Sequence, residues 1–428
     1  MKTDNRSFFF VVALFAGLSL NAADWSQYRG PNLDGSTAEK VQWPAGGPKS
    51  LWKVPTPDGF GSFVVSDGKA CTIVTRLQDG APQETLVALD ANTGRELWAT
   101  SLAAVSKYGG GGDAGTPTNK GGDGARSTPA FDGDRVYTLN SRLSLTCFDA
   151  KSGKSLWSHD FLKEFAGVNI KWENAASPVI DGNLVYVAGG GAGQSLLAFN
   201  KTDGKLAWKT GTETITHSTP VVATIHGVRQ VVYFTQSGLV SVAAQTGASL
   251  WKQAFKFAVS TAITPIVGGD IVYCAAGYGV GSGAYKISKS GNAFTSTELW
   301  RSTGNQPVAN HWSTPVYKDG HLYGMFQFKE YGDGPLKCVE LATGKVKWEK
   351  AGFGPGNVIL VDGNVLALSD AGDLALVAGS PVAYKELGRT KTVTGKCWST
   401  PVLSNGRVYV RSTKEGACID LLSKVAAR

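Results

Sequence analysis

The stretch Ala88-Leu89-Asp90-Ala91-Asn92-Thr93-Gly94-Arg95-Glu96-Leu97-Trp98 decides the fold of this chain, because its pattern returns along the sequence. Glycine, three residues and tryptophan recur five times, in Gly94–Trp98, Gly153–Trp157, Gly204–Trp208, Gly247–Trp251 and Gly344–Trp348. A repeat of this length predicts supersecondary units that bury their apolar faces only by packing against one another.

Each unit reads as four short antiparallel strands. A small polar step and proline open it, as in Ser127-Thr128-Pro129, and a tight turn such as Asp132-Gly133-Asp134 joins its first two strands. Aspartate or asparagine followed by glycine between apolar runs is a strong hairpin signal, since glycine accepts positive φ. Eight units begin near Phe60, Arg126, Ala176, His217, Thr261, Trp312, Gly354 and Trp398. The sequence therefore predicts an all-β, eight-bladed β-propeller.

The two ends of the chain predict how the ring closes. The eighth unit stops after its third strand, at Ile419-Asp420-Leu421, while Leu51-Trp52-Lys53-Val54 resembles a fourth strand without a unit. We expect this N-terminal strand to pair into the last blade, which removes the open edge. The tryptophans and turn glycines are predicted to dock each blade on the next, and the seventh unit has lost its tryptophan. The predicted docking residues are Trp52, Gly94, Trp98, Gly153, Trp157, Gly204, Trp208, Gly247, Trp251, Trp300, Gly344 and Trp348.

The N-terminus has the features of a secretory signal. Lys2 and Arg6 precede an apolar run from Phe8 to Leu20, which is too short to span a bilayer, and small residues follow at Ala22 and Ala23. We therefore divide the chain into a signal peptide (1–23), an N-terminal extension (24–48) and a single propeller domain (49–428). This predicts a periplasmic or secreted protein with no membrane span. Because no cysteine stands at the cleavage point, we expect no lipid anchor.

Charge and cysteine content exclude several classes of function. The formal net charge is +8, without a basic block of five or six residues, so export and charge distribution both argue against nucleic-acid binding. Six cysteines in an exported chain could form three disulfides, but five of them, Cys71, Cys147, Cys274, Cys338 and Cys418, fall within apolar strand patterns. Buried thiols are the favoured interpretation. The chain has no Cys-x-x-Cys, which excludes the usual cysteine-based metal or haem motifs.

The repeat Ala-x-Asp-x-x-Thr-Gly-x-x-x-Trp resembles the signature of the pyrroloquinoline-quinone-like (PQQ-like) eight-bladed propellers. That family includes quinoprotein alcohol dehydrogenases and BamB, a scaffold of outer-membrane protein assembly. The resemblance covers Trp25 to the C-terminus, and the opening Trp25-Ser26-Gln27-Tyr28-Arg29-Gly30-Pro31 is similar to that of secreted PQQ-like repeat proteins. The resemblance implies one fold but leaves two functions open: a binding scaffold or a dehydrogenase.

Candidate site residues lie on the face of the ring that carries the inserted loops. These insertions are 107–124, 189–194, 277–283 and 328–334. The residues just before each inner strand should surround the channel mouth on that face, and loops on a rigid scaffold commonly carry function. They are Arg126, Trp172, Glu173, Asn174, His217, Asn310, His311, Trp312, Lys396 and Trp398. We also expect His217 and His311 to meet across the channel.

The resemblance to quinoproteins implies specific roles for these residues. Trp172, Trp312 or Trp398 would stack on PQQ, Glu173 and Asn174 would hold Ca²⁺, and Arg126 or Lys396 would contact the quinone oxygens. The chain departs from that pattern, because it has no adjacent cysteine pair and no aspartate at the blade openings. Glu173 and Asn174 would also point to opposite sides of an extended segment.

Catalytic residues are not identified, and no metal site is predicted. The leading hypothesis is a monomeric, non-enzymatic scaffold without a cofactor, which binds an envelope protein or a polysaccharide through the loop-rich face. The alternative is a PQQ- and Ca²⁺-dependent alcohol or sugar dehydrogenase.

Overall fold

The computed structural model describes residues 24–107, 121–257, 261–305, 307–326 and 334–421. The proposed signal peptide, the glycines at 109–112 and the inserted loop at 328–333 lie outside these residues. The described chain forms eight antiparallel β-sheets of four strands each. Seven are built from consecutive strands, the eighth takes one strand from the N-terminal part of the chain, and the seventh carries one additional, parallel strand. The prediction of an all-β, eight-bladed propeller is confirmed.

The strands are numbered β1 to β33 in chain order, and α1 is a single four-residue helix, Phe161–Glu164. Before blade one lie β1 (Ser36–Thr37) and β2 (Lys49–Pro55). Blade one contains β3 (Val64–Ser66), β4 (Lys69–Gln78), β5 (Ala81–Asp90) and β6 (Glu96–Ala104), and blade two contains β7 (Ala130–Asp132), β8 (Arg135–Leu139), β9 (Ser144–Asp149) and β10 (Ser155–Asp160). Blade three contains β11 (Val179–Asp181), β12 (Leu184–Ala188), β13 (Leu196–Asn200) and β14 (Leu206–Thr210). Blade four contains β15 (Val221–Ile225), β16 (Val228–Thr235), β17 (Gly238–Ala243) and β18 (Ser249–Ala254). Blade five contains β19 (Ile266–Gly268), β20 (Ile271–Ala276), β21 (Gly281–Ser290) and β22 (Ala293–Ser302), and blade six contains β23 (Val316–Lys318), β24 (His321–Met325), β25 (Leu336–Glu340) and β26 (Val346–Lys350). Blade seven contains β27 (Asn357–Val361), β28 (Asn364–Leu368), β29 (Asp373–Val377) and β30 (Glu386–Lys391). Blade eight contains β31 (Val402–Ser404), β32 (Arg407–Arg411) and β33 (Glu415–Asp420).

Tight hairpins begin the blades as their sequence predicts. In blade one, Asp67 and Gly68 both have positive φ, 47° and 69°, between β3 and β4. Two consecutive residues with positive φ form the turn whose twist matches that of paired strands. These hairpins and the glycine turns between third and fourth strands share one side of the ring, the turn face. Blade openings and the loops between second and third strands share the other side, the loop face.

One tryptophan docks a blade on the next. A Cβ built on Gly153 would come within 2.5 Å of the Trp98 ring, so only glycine fits beneath the indole. The Trp98 ring nitrogen also donates a hydrogen bond to the carbonyl of Ala150, 3.0 Å away in the second blade. Burying each ring stabilises the contact by about 2 kcal/mol. The same ring-on-glycine packing joins Trp52 to Gly94, Trp157 to Gly204, Trp208 to Gly247 and Trp300 to Gly344.

Two tryptophans of the series dock differently. Trp251 donates its ring N–H to Gln230 within its own blade, at 2.7 Å. The next blade offers it a long hairpin, β21–β22, in place of a short glycine turn. Trp348 donates to the carbonyl of Ser380 in blade seven, at 2.9 Å, and packs edge-on against Tyr384.

The ring closes through the N-terminal strand, as predicted. Strand β2 pairs antiparallel with β33, with Trp52 opposite Cys418. The Trp52 ring lies on Gly94 of blade one and donates to the carbonyl of Ala91 at 3.0 Å. Residues from the two ends of the chain therefore build one blade.

The segment before β2 does not lie outside the propeller. Trp25 is fully buried and its carbonyl accepts a hydrogen bond from Val65 of blade one, while the carbonyl of Ser26 accepts one from Phe131 of blade two. Gln27 exchanges two hydrogen bonds with the backbone of Ile180 in blade three. Residues 25–37 thus fill the axial channel among the inner strands.

The same segment continues to the opposite side of the ring. Arg29 is 4% exposed and donates to the carbonyl of Pro315 in blade six at 3.0 Å. Strand β1 pairs parallel with β27, the inner strand of blade seven. Gly30 and Gly35 have positive φ and pack against the Trp25 ring and the Arg29 guanidinium, respectively. The short polar and aromatic sequence Trp25–Thr37 is therefore part of the core.

All six cysteines are buried and none forms a disulfide. Burial raises the pKa of the Cys338 thiol to about 11 and that of the Cys418 thiol to about 12. These side chains occupy the interior as small apolar groups that are protonated at neutral pH.

Candidate functional site

The loop-face mouth of the channel is crossed by a continuous row of aromatic rings. Phe60 lies 4.9 Å from Trp398, and Trp398 stacks on Trp312 with centroids 4.1 Å apart and planes 30° apart. His311 follows at 5.3 Å, and Tyr278 lies 4.9 Å beyond it. We call these five residues the aromatic row. It joins blades one, eight, six and five, because four of the rings stand at or near blade openings and Tyr278 lies in the loop between β20 and β21 on the same face.

Two cations flank the row at its Phe60 end. The Lys396 ammonium lies 4.6 Å from the Trp398 ring centroid and 5.9 Å from that of Phe60. The Arg126 guanidinium lies 6.0 Å from the Phe60 centroid. Cations at such distances are attracted to the ring faces. This end of the mouth combines positive charge with aromatic surface, which suits a partner that carries acidic and apolar groups.

Both cations are also tied to the backbone near the mouth. Lys396 donates to the carbonyl of Gly121 at 2.7 Å, and Arg126 donates to those of Gly122, at 2.6 Å, and Trp172, at 3.3 Å. Lys396 is 2% exposed, so its charge acts from beneath the surface. These bonds hold the chain that returns from the inserted loop at 107–124 against the aromatic row.

Glu173 and Asn174 face different partners. Trp172 and Glu173 have positive φ, 72° and 58°, so this segment is a left-handed turn rather than a strand. The Glu173 carboxylate accepts a hydrogen bond from Ser106 at 2.8 Å and pairs with Arg142 at 2.8 Å.

The Asn174 amide is directed at the backbone of blade two and of its own turn. It donates to the carbonyls of Leu139, Asn140 and Ala176, and its oxygen accepts the amide N–H of Ala176 at 3.1 Å. Its role in the structure is to hold the turn that leads into blade three.

Two histidines, His217 and His311, lie close enough at the mouth for one to influence the pKa of the other. Burial, together with the charge of Arg126, lowers the pKa of His217 to about 4. Burial also lowers the pKa of His311 to about 3, with a contribution from His217 itself. Both imidazoles are therefore neutral at pH 7. Asn310, beside His311, donates to the carbonyl of Met325 at 2.7 Å and accepts from Tyr273.

This arrangement does not fit PQQ and Ca²⁺. Trp312 and Trp398 use a face of each ring on one another, so a planar cofactor between them would have to separate the stack. The Glu173 carboxylate and the Asn174 oxygen each have protein partners and do not converge on one point. Within residues 24–421, over the described ranges, no three His, Cys, Asp or Glu side chains form a group able to hold a metal ion.

A buried acidic group lies beside the mouth that sequence reasoning did not identify. Glu84 on β5 is 1% exposed, and its carboxylate accepts the amide N–H of Ser141 at 3.3 Å. Burial raises its pKa to about 7, and the neighbouring charge of Glu173 raises it as well. The only signal in the sequence is a glutamate within the apolar run of β5, which reads equally well as a residue on the solvent side.

Comparison with known proteins supports the fold and the family. The family model described as "Outer membrane protein assembly factor BamB" matches residues 82–348, more than half of the chain. Outer membrane protein assembly factor BamB of Shewanella oneidensis is 27% identical over 241 residues, 53% of this chain and 57% of its own length. The same factor of Yersinia pestis is 24% identical over 303 residues, 66% of this chain and 70% of its own. The match thus spans little more than half of the Shewanella relative.

Solved structures show the same architecture. BamB from Moraxella catarrhalis superposes with a TM-score of 0.59 at 14% identity, over 89% of this chain and 99% of that one. Quinohemoprotein alcohol dehydrogenase from Comamonas testosteroni superposes with a TM-score of 0.61 at 12% identity, over 96% and 82%. At such identities the likeness is one of fold, and it extends to an assembly factor and an alcohol dehydrogenase alike.

In the described part of the chain, no helix is long and apolar enough to cross a membrane. The family match, the repeat that carries it and the eight-bladed ring agree with one another. The chain belongs to the PQQ_2 family, that of the outer membrane protein assembly factor BamB.

Proposed function

We propose that this protein is an exported, non-enzymatic scaffold of the cell envelope that binds a protein partner through its loop face. Membership of the BamB family supports the class of function. The observation that carries the proposal is the aromatic row with its two flanking cations, because it offers apolar surface with positive charge beside and beneath it at one end of a rigid ring.

The chemistry of the mouth indicates what the partner presents. An extended segment with acidic and apolar side chains would complement Phe60, Trp398 and the positive charges of Lys396 and Arg126. At the other end of the aromatic row, Tyr278 is 48% exposed, and the exposed Lys171 lies over the ring of Trp172 at 5.6 Å. These two exposed side chains are accessible to a partner without any rearrangement of the stack.

The test is capture of partners from envelope extracts by the purified protein. A double variant, Tyr278→Ala with Lys171→Ala, should reduce capture at least several-fold while the melting temperature stays unchanged, since both side chains are exposed. The matched control is Lys151→Ala with Lys205→Ala, which removes two exposed lysines from the turn face and should leave capture intact. Equal loss in both variants would contradict a site on the loop face. Retention of a polysaccharide in place of a protein would contradict the class of partner.

The dehydrogenase alternative has a direct test of its own. Purified protein is mixed with PQQ and CaCl₂, and quinone absorbance and dye-linked oxidation of ethanol and glucose are measured. We expect neither stoichiometric binding nor turnover, because the Trp312–Trp398 stack and the partners of Glu173 and Asn174 are already formed within the protein. Stoichiometric PQQ with turnover would overturn the scaffold proposal.

A further inference from the structure

The fourth strand of blade seven has a glycine where the others have tryptophan. In every other blade, tryptophan stands opposite the third strand immediately before a bulge. In blade seven the same bulge follows the pair Leu376 and Gly388. Strand register therefore shows that Gly388 occupies the tryptophan position, which the sequence spacing alone did not reveal.

The missing ring is present, but it comes from another part of the chain. A Cβ built on Gly388 would lie 2.3 Å from Cδ1, Cδ2 and Cε2 of Trp43. The Trp43 indole thus fills the space that a side chain at position 388 would enter. It is half-buried and packs against the apolar cluster that spans blades seven, eight and one and contains Leu376, Leu403 and Cys397.

The path of the N-terminal segment explains how the ring reaches this position. Strand β1 is held on the inner strand of blade seven, where Leu360 donates to Gly35 and Asp362 donates to Thr37, at 2.9 and 3.0 Å. The Glu39 carboxylate accepts the amide N–H of Gly406 in blade eight. The chain then passes Trp43 and enters blade eight as β2. Trp43 lies between two fixed points, which lowers the entropy lost in placing its ring.

We propose that the groove over Gly388 is a binding site for an indole ring, filled within the same molecule by Trp43, and that this contact docks blade seven on blade eight. Other blades carry their docking tryptophan in the repeat, whereas blade seven takes it from the N-terminal segment. The consequence is that residues 24–48 belong to the minimal folding unit of the propeller, and that the seam between blades seven and eight depends on a contact between distant parts of the chain.

Exchanging the residues at positions 43 and 388 tests whether an indole from either position fills the groove equally well. Trp43→Ala removes the ring and Gly388→Trp places a second ring in the same space, so each single variant should lower the melting temperature. Combining them leaves one indole in the groove, and the double variant should recover most of the loss of either single one. The matched control is Trp43→Ala with Leu387→Trp, in which the new ring lies on the adjacent, exposed position and should recover nothing. Additive losses in the Trp43→Ala, Gly388→Trp double variant would overturn the proposal.

Chemical rescue tests the site as a ligand-binding groove. Free indole should raise the melting temperature of Trp43→Ala in a saturable manner, since a cavity shaped by a missing side chain accepts its free equivalent. The wild type and the exchanged double variant, whose grooves are filled, should show no such shift. Rescue of all three alike, or of none, would overturn the proposal.

Thiol labelling shows where in the protein the loss of the Trp43 ring loosens the packing. Cys397 belongs to the cluster under Trp43, whereas Cys274 lies in a different cluster centred on blade five. In Trp43→Ala, the labelling rate of Cys397 measured by peptide mass spectrometry should rise several-fold and fall again with indole, while that of Cys274 stays unchanged. An equal rise at both thiols would show general unfolding and contradict a local seam.

Discussion

The guanidinium of Arg411, on the last blade, donates a hydrogen bond to the carbonyl of Ile73 on the first, with 2.6 Å between nitrogen and oxygen. The same side chain also donates to the carbonyls of Gly61, Thr56 and Asp58 and to the hydroxyl of Thr72. Arg411 is 1% exposed, and burial lowers its pKa to about 10. Closure of the ring therefore rests on a buried cation at the seam as well as on strand pairing.

Replacing Arg411 tests this closure. Arg411→Met keeps much of the volume but leaves buried carbonyls at the seam without a donor, and we expect a loss of about 3–5 kcal/mol in the free energy of unfolding. Urea denaturation measures it. The control is Arg407→Met on the same strand, whose guanidinium bonds the exposed turn residue Asn92 and should cost about 1 kcal/mol or less. Similar losses in the two variants would contradict a special role for Arg411.

Alanine substitutions at two glycines with similar backbone geometry distinguish the cost of backbone strain from the cost of displacing a packed tryptophan. Gly133 and Gly153 have φ of 58° and 70°, but a Cβ on Gly133 meets open space whereas one on Gly153 strikes the Trp98 ring. Gly133→Ala should cost about 1 kcal/mol from the left-handed backbone alone. Gly153→Ala should cost about 1–3 kcal/mol more, because the indole must move. Equal losses by thermal unfolding would show that the tryptophan does not need glycine beneath it.

The buried carboxyl of Glu84 predicts a pH-dependent stability. Its pKa is raised in the folded state to about 7, so its contribution to stability is present below about pH 4.5 and is lost as pH rises towards 7. Glu84→Gln should therefore raise the free energy of unfolding at pH 8 by roughly 3 kcal/mol, at 1.36 kcal/mol per pKa unit, and have little effect at pH 4. Unfolding at a series of pH values measures this. The exposed Glu298→Gln should show no such trend, and a gain independent of pH would contradict the assignment.

The two mouth histidines predict the opposite pH dependence. The pKa of each lies below that of an unfolded histidine, so the stability they contribute is complete above about pH 6.5 and is lost as pH falls towards 4. His217→Gln should flatten the decline in melting temperature between pH 6.5 and 4. His321→Gln, on the turn face, serves as the comparison and should leave the decline as in the wild type. An unchanged slope in His217→Gln would show that other groups cause it.

Much of the fold could be predicted from the sequence, because the same short-range patterns of strand and turn residues recur in each unit of the repeat. Gly94 and Trp98 recur at a fixed spacing, and Asx-Gly turns report positive φ within two residues. Closure by Trp52 was also predictable, since the missing fourth strand of blade eight and the orphan strand at the N-terminus are both visible. These inferences use short-range patterns, which sequence records directly.

The members of the candidate site stay a prediction, and their geometry could not be derived from the repeat. The blade openings place Trp312, Trp398 and His311 at one mouth. Their pairing into a stack, the left-handed turn at Glu173 and the burial of Glu84 depend on contacts between blades. Residues at equal positions in each repeat look alike in sequence, while their partners differ around the ring.

The repeat by itself determined the blade and, through its eight openings, the number of blades, because each unit carries the same strands and turns in the same order. Several units also carry both a tryptophan that docks on the next blade and a glycine that receives the tryptophan of the preceding one. Only the tertiary structure decided which side chain replaces the missing tryptophan of blade seven. Trp43 lies on Gly388, and Trp25 to Thr37 lie in the channel, because packing joins residues that are hundreds of positions apart and no periodicity links them. Blade seven lacks the tryptophan of the repeat, and its place is filled by an indole from the segment that continues into blade eight as β2.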